Sequence, residues 1–321
     1  MTGAVPTGAV HIVAPRGAGG IRQSADDLAE TLAAIGVDAV VGERPPAGPA
    51  HLHYGNASRP LLRFLARRRG DLVTIHDVVP RTRMLRAVLP RVSGPVLARH
   101  HLVVHSRHAA GLLAATVPGA RPETVPLLLR VVPDPGPSPL GPPGGLVTAV
   151  VAGRLKAAKG VAALVAAADA RPGLRLVLVG GAADRATTEL LTRLPANVSH
   201  LDRPDHDTFL AALAGADVVI SWRPDSVGET SGPVVEAHQL GTPVAGLASG
   251  SLPEYCGPGD VLVPEGRSAG DLLDAVLAAR PGRIDAGDER RAPPEAIARR
   301  YLELYRRFGL LGPGGPGGPG G

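Results

Sequence analysis

The stretch from Asp217 to Glu254 concentrates the side chains best suited to hold a ligand. Val218, Val219 and Ile220 read as a buried strand that passes into a polar loop carrying Glu229. Gly232-Pro233 then opens a helix, which is expected to present Glu236 in its first turn. Proline suits the first helical position because the N–H it lacks would have no partner there. The remaining free N–H groups and the helix dipole attract anions. A carboxylate in that place instead accepts hydrogen bonds from a neutral polyol such as a ribose. A strand from Pro243 to Gly246 and a loop from Ser251 to Glu254 should close the same side of the sheet. Open α/β sheets bind ligands there, beyond the carboxyl ends of their strands.

Three further groups invite chemistry. A basic turn, Gly153-Arg154-Leu155-Lys156-Ala157-Ala158-Lys159-Gly160, follows at once on an apolar strand read over Leu146 to Ala152. His76 and Asp77 stand at the carboxyl end of a strand beginning at Leu72, either in a site or capping a loop. Between a strand at His11 to Ala14 and a helix marked by Ala25, Leu28, Leu32 and Ile35 lies Gly17-Ala18-Gly19-Gly20. That turn serves equally as a tight connection or as a loop whose N–H groups approach a phosphate. It does not meet the G-x-G-x-x-G dinucleotide pattern. The histidines at 100, 101, 105 and 108 are too local for a convincing zinc site, and no histidine pair at helical spacing brackets a glutamate. Cys256 has no companion of a nucleophilic motif and reads as a packed thiol. No Gly-x-Ser-x-Gly elbow supports hydrolase chemistry.

In combination these motifs resemble retaining glycosyltransferases of the GT-B fold, in the glycosyltransferase family 4 group (glycosyl transferases group 1). The resemblance rests on Glu229, Ser231-Gly232, Glu236-Ala237, Gly241-Thr242-Pro243-Val244 and Pro253-Glu254, with Gly153-Arg154-Leu155 and Lys159-Gly160 as a second match. It implies two Rossmann-like domains with parallel sheets facing a cleft, and a terminal helix that crosses back to the first domain. It implies that Arg154 and Lys159 grip the donor diphosphate, where two fixed cations stabilise the charge that develops on the leaving phosphate without a metal. Glu236 would hold the ribose and Glu229 would lie near the sugar hydroxyls, beside Ser231 and Gly232. His76 and the Gly19-Gly20 turn would complete the site from the first domain. Asp202 and Arg203 fall where the family contacts the base. The two glutamates are normally separated by seven residues, and here 230 to 235 intervene. Glu229 is therefore displaced by a shorter loop, or Asp225 takes its place. The family's Asn-Gly at the end of the first domain is also replaced, by the run from Val125 to Arg130.

The elements that must position these residues alternate strand and helix along 321 residues, enough for two α/β domains. The expected division is 1–137 for an acceptor-side domain and 138–145 for a Pro/Gly linker that stays extended and buries little. A donor domain over 146–293, a crossover helix over 294–311 and a disordered Gly/Pro tail over 312–321 complete it. Hydrophobic residues make up 44%, so the 42 glycines and 33 prolines punctuate a globular chain. Aromatic residues make up 2%, which leaves sugar recognition to hydrogen bonds rather than stacking. The net charge of +5 favours anionic ligands, but no nucleic-acid motif accompanies it. Arginines among apolar residues over 81–101 suit either a solvated face or contact with an acidic membrane surface. With one cysteine, no apolar run of spanning length and no signal-peptide pattern, the chain is expected to be cytoplasmic, or peripheral to the inner face of the membrane.

The expected activity is metal-independent transfer of a sugar, with retention of configuration, from a UDP-sugar or other nucleoside-diphosphate sugar to a small-molecule or lipid-linked acceptor. No cofactor is expected, since the nucleotide sugar is itself a substrate. The first domain offers no evident carboxylate nucleophile, so a front-face displacement is favoured over a double one. Two other readings stand beside it: a sugar-nucleotide epimerase on the same fold, and a non-catalytic subunit that binds a nucleotide or a partner.

Overall fold

The computed structural model describes residues 9–16, 19–55, 65–79, 93–131, 134–141, 144–224, 226, 228–291 and 293–311. Internal contacts divide the chain into two units, Met1–Arg130 with Val227–Thr230 and Pro293–Gly321, and Val131–Ser226 with Ser231–Ala292. Each is built on a six-stranded parallel sheet.

In the first unit the strands are β1 (Val10–Val13), β2 (Ala39–Gly42), β3 (His51–Tyr54), β4 (Leu72–Ile75), β5 (His101–Val104) and β6 (Glu123–Thr124), in the order β2-β1-β3-β4-β5-β6. The inner strands β3 and β4 are buried at every position. Such all-round burial is what a parallel sheet covered on both faces demands, and it produces short apolar runs instead of alternation. One face is covered by the Gly20–Ala34 helix, whose Ala25, Leu28 and Leu32 pack with Ile297, Tyr301 and Tyr305 of the C-terminal Pro294–Arg307 helix. The C-terminal helix thus returns to the first sheet, as the resemblance implied. The other face packs Leu65, Leu97, Ala109 and Leu113. Ser106 caps the Arg107–Thr116 helix by accepting from Ala109 N–H at 3.1 Å.

The second unit contains β7 (Val147–Ala152), β8 (Leu174–Val179), β9 (Val198–Leu201), β10 (Val218–Ser221), β11 (Val244–Leu247) and β12 (Val261–Val263), in the order β12-β11-β10-β7-β8-β9. Strand β7 is central and wholly buried. Asp205 and Ser268 cap the His206–Ala214 and Ala269–Ala279 helices as their types predict, and Ser268 forms a reciprocal capping box with Asp271.

Several local expectations change. Residues 252–255, expected as loop, form a short helix, because Pro253 occupies a first-turn position that lacks nothing by having no N–H. The Pro/Gly linker buries more than expected, since Leu140 packs into the second core with Leu210 and Val234. A sixth strand at Glu123–Thr124 and a helix at Arg185–Leu191, capped by Asp184, escaped the sequence reading. The first pairs only two residues, and the second is too short to show a period. Of the basic segment 81–101, residues 81–92 lie outside the described residues, as does the tail 312–321.

Candidate functional site

In the second sheet the strand order reverses between β7 and β10, since β7 is followed in sequence by β8 on one side while β10 and β11 extend the other. Neighbouring chains leave in opposite directions there and open a crevice at the carboxyl edge, the usual ligand position of a doubly wound sheet. Register sets what reaches it. Ala152 pairs with Val179 and Val179 with Leu201, while Val150 pairs with Val219. Gly153, Gly180, Asp202 and Trp222 therefore emerge along one edge.

The turn after β7 places Lys159 at this point. Its Nζ donates to the Ala152 carbonyl at 3.1 Å, folding the side chain back over the strand end. A Cβ on Gly153 would lie 3.3 Å from that Nζ and 3.5 Å from Cγ of Pro233. The ammonium and the first turn of the Gly232–Gln239 helix thus meet over a glycine. Lys159, Trp222, Arg223, Ser231 and Pro233 line a common crevice. Arg223 donates to the Ser231 hydroxyl at 3.2 Å. A cation beside a helix N-terminus suits a phosphate, since ammonium, guanidinium and backbone N–H groups all present hydrogens to oxygen.

Two glycines make this packing possible. Gly160 has φ +60, and a Cβ there would overlap Trp222 Cδ1. Gly180 has φ +128, and its Cβ would overlap the Gly153 carbonyl oxygen. No other residue allows both the backbone angle and the approach.

Each remaining candidate has a definite place. Arg154 is exposed on the same turn as Lys159. Glu236 is 3% exposed, but it sits in the second turn and not the first, because the helix already opens at Gly232 with Ser231 as its cap. Arg203 adopts φ +42 and lies over Gly181, whose Cβ would stand 2.9 Å from Arg203 Cγ, while Asp202 is exposed beside it. Glu229 is buried at 7% exposure, and its segment groups with the first unit, where a Cβ on Gly228 would meet Val78 and Leu112 near 3 Å. Asp225 is outside the described residues. Trp222 and Arg223 were missed by sequence reasoning. Their signal was available: they directly follow the strand that ends in Ser221.

At the carboxyl edge of the first sheet, the switch falls between β1 and β3. Gly19, with φ +54, caps the Gly20–Ala34 helix just beyond β1, next to Gly17-Ala18, which lie outside the described residues. A Cβ on Gly55, after β3, would stand 3.3 Å from Asp77 Oδ2 and 3.7 Å from His76 Cβ, and would overlap Ile21. The helix start, the β3 end and the β4 end therefore gather in one place.

Behind them runs a column of four histidines that the sequence reading overlooked. His51 and His53 are two apart on β3 and share one face. Ring centroids stand 4.6 Å apart from His51 to His53, 5.1 Å from His53 to His76 and 4.9 Å from His76 to His105. His51 shares hydrogens with Tyr305 Oη at 2.8 Å and Thr74 Oγ1 at 2.7 Å. His105 Nδ1–H donates to the Val125 carbonyl at 3.0 Å. Burial pushes all four below the ordinary histidine range, His51 to about 3 and His105 to about 4. They are neutral at pH 7.

His238, Cys256 and Asp260 bring ligand-type atoms within 4.8 Å of one another. The Asp260 carboxylate is already saturated, however. Oδ1 accepts from Val244 N–H at 2.7 Å and His238 Nε2 at 3.2 Å, and Oδ2 accepts from Gly257 N–H at 2.9 Å and from Arg290. Burial pushes the Cys256 thiol up, away from the thiolate a metal needs. The cluster locks the β11–β12 connection.

Residues 138–285 match the family described as glycosyl transferases group 1. No curated protein matches the chain. Among solved structures, a sucrose-phosphate synthase from Thermosynechococcus elongatus is similar with a TM-score of 0.75 at 21% identity, over 94% of this chain and 99% of that one. HepE of Anabaena in complex with UDP-glucose gives 0.70 at 17%, over 94% and 100%. AviGT4, a glycosyltransferase involved in avilamycin A biosynthesis, gives 0.60 at 23%, over 94% and 98%. Residues 138–285 thus resemble the glycosyl transferases group 1 family, within a chain that has the GT-B fold.

Proposed function

We propose that this chain is a metal-independent glycosyltransferase that moves a sugar from a nucleoside-diphosphate sugar to a small-molecule or lipid-linked acceptor with retention of configuration. The observation that carries the reading is the meeting of Lys159 Nζ with the Gly232–Gln239 helix start at the switch between β7 and β10. That arrangement suits a diphosphate, and Glu236 one turn further along suits a ribose. The similar solved structures include HepE in complex with UDP-glucose and with UDP and glucose, which supports a UDP-sugar as donor.

In the reaction, the anomeric carbon loses its bond to the phosphate oxygen and gains one to the acceptor oxygen. The acceptor's proton passes to the departing phosphate on the same face. Lys159, with Arg154 from the same turn and Arg223 from just beyond the neighbouring strand β10, stabilises the negative charge left on that phosphate. Glu229 and His76 are assigned to the sugar, Gly19 and Gly20 to the diphosphate, and Asp202 and Arg203 to the base. Among the described residues no helix is long and apolar enough to cross a membrane.

Calorimetry with UDP, GDP and dTDP, followed by hydrolysis of the matching donor sugars, tests the reading. Binding of one nucleotide and turnover of its sugar, both lost in Lys159→Ala, are expected. Failure of every nucleoside diphosphate to bind overturns it. Tight binding without turnover of any donor points to the nucleotide-binding subunit.

A further inference from the structure

The histidine column contains a contact that bears on how His76 can act. His53 is 1% exposed and His76 half-buried, and His53 Nδ1 stands 3.0 Å from His76 Nε2. Both rings are neutral, so a single hydrogen bridges the two nitrogens. The far nitrogen of His53, Nε2, is buried and meets no hydrogen-bond partner among the described residues.

That orphan nitrogen decides the direction of the bond. If His76 supplied the hydrogen, His53 would carry its own proton on Nε2, leaving a buried N–H without an acceptor. Orphaned buried N–H groups are rarer than under-used acceptors. With the proton on His53 Nδ1, the orphan is only an unused lone pair, and His76 Nε2 accepts. His76, being neutral, then holds its proton on Nδ1.

Resting on the transferase reading for what His76 would meet, we propose that His53 is a positioning residue: it fixes His76 in the Nδ1–H tautomer, making it a neutral hydrogen-bond donor to a sugar oxygen. The rest of the column supports the pair. The His51 ring packs against His53 at a tilt and is itself pinned by Tyr305 and Thr74, and Tyr305 comes from the C-terminal helix. The ring of His105, held by Val125, backs His76 from the other side. The C-terminal helix therefore holds the ring that His53 packs against.

Nitrogen-15 NMR of histidine-labelled full-length chain reads the tautomer directly and needs no substrate. The expected result is a protonated-type Nδ1 and a bare-type Nε2 at His76, assigned by its disappearance in His76→Gln. His53→Leu should release the ring to a mixture containing Nε2–H. His53→Asn, whose amide nitrogen takes the place of Nδ1, should restore the wild-type pattern. On the same variants, donor turnover should fall roughly tenfold in kcat for His53→Leu, the size of one lost hydrogen bond, with KM little changed and with recovery in His53→Asn. A proton on His76 Nε2 in the wild type overturns the proposal, as does an unchanged tautomer in folded His53→Leu. If His53→Leu does not fold, the wild-type and His53→Asn spectra decide alone. If no donor turns over at all, the transferase reading fails while the tautomer remains measured.

Discussion

The carboxyl edges of the two sheets are topologically alike and electrostatically opposite. At the second, between β7 and β10, fixed positive charge meets a helix start: Lys159 and Arg223 line one crevice with Ser231 and Pro233. At the first, the groups around His76 are three further neutral imidazoles and two tyrosine hydroxyls. Full charges suit a phosphate, whose negative charge is permanent and grows on bond cleavage. Neutral donors suit hydroxyls, which full charges would not discriminate. The contrast teaches that the same α/β edge becomes an anion site or a polyol site through what the strands deliver to it, and not through the fold.

Substitution should separate the two edges. Lys159→Ala is expected to lower donor turnover by about 10²–10³ in kcat/KM and to weaken nucleoside diphosphate binding. His76→Ala should reduce turnover while leaving affinity for the bare nucleotide nearly unchanged. Equal loss of nucleotide affinity in both variants would break the contrast.

Mild acid should act on the first unit before the second. His51 and His105 bind protons in the unfolded chain below the ordinary value of 6.5, but in the folded chain only below about 3 and about 4. The unfolded state therefore holds more protons across that window, and stability falls as pH drops from about 6.5 toward 4. Asp27 acts in the opposite sense. Burial raises it to about 6, so its contribution disfavours the folded state as pH rises from about 4 through 6. One carboxyl against four histidines leaves the net sign with the imidazoles. Thermal melts from pH 7 to 4 should show a falling Tm, and the slope should flatten in a variant carrying His51→Gln and His53→Gln. A slope unaltered by that change would assign the acid sensitivity elsewhere.

A smaller effect is expected at Gly160. A Cβ there collides with the indole of Trp222, at a positive φ, so Gly160→Ala should cost about 1–3 kcal/mol and shift the emission of Trp222, the one tryptophan of the chain. Unchanged emission would mean that the close approach is not maintained in solution. Smallest of all, Ser106→Ala removes the bond to Ala109 N–H and should lower stability by ~1 kcal/mol in a denaturant titration.

Sequence alone settled the strand and helix alternation, because parallel strands covered on both faces must be short apolar runs, and because glycines, prolines and caps mark their ends. The caps Ser106, Asp205 and Ser268 are of types that open helices, since capping depends on neighbours within a few positions. Sequence also singled out Lys159, Gly232 and Glu236 as members of a ligand corner, through the types that surround a strand end and a helix start. Only the tertiary structure decided that the Lys159 ammonium and the start of the Gly232–Gln239 helix, some 70 positions apart in the chain, roughly the separation of β7 from β10, converge over Gly153. It alone assembled the histidine column, whose members come from β3, from the ends of β4 and β5, and from contact with the C-terminal helix. The physical reason is the same in both cases. Local propensity is written in spacing along the chain, whereas hydrogen bonds between residues far apart are fixed only when strand order and register bring their backbones to one level.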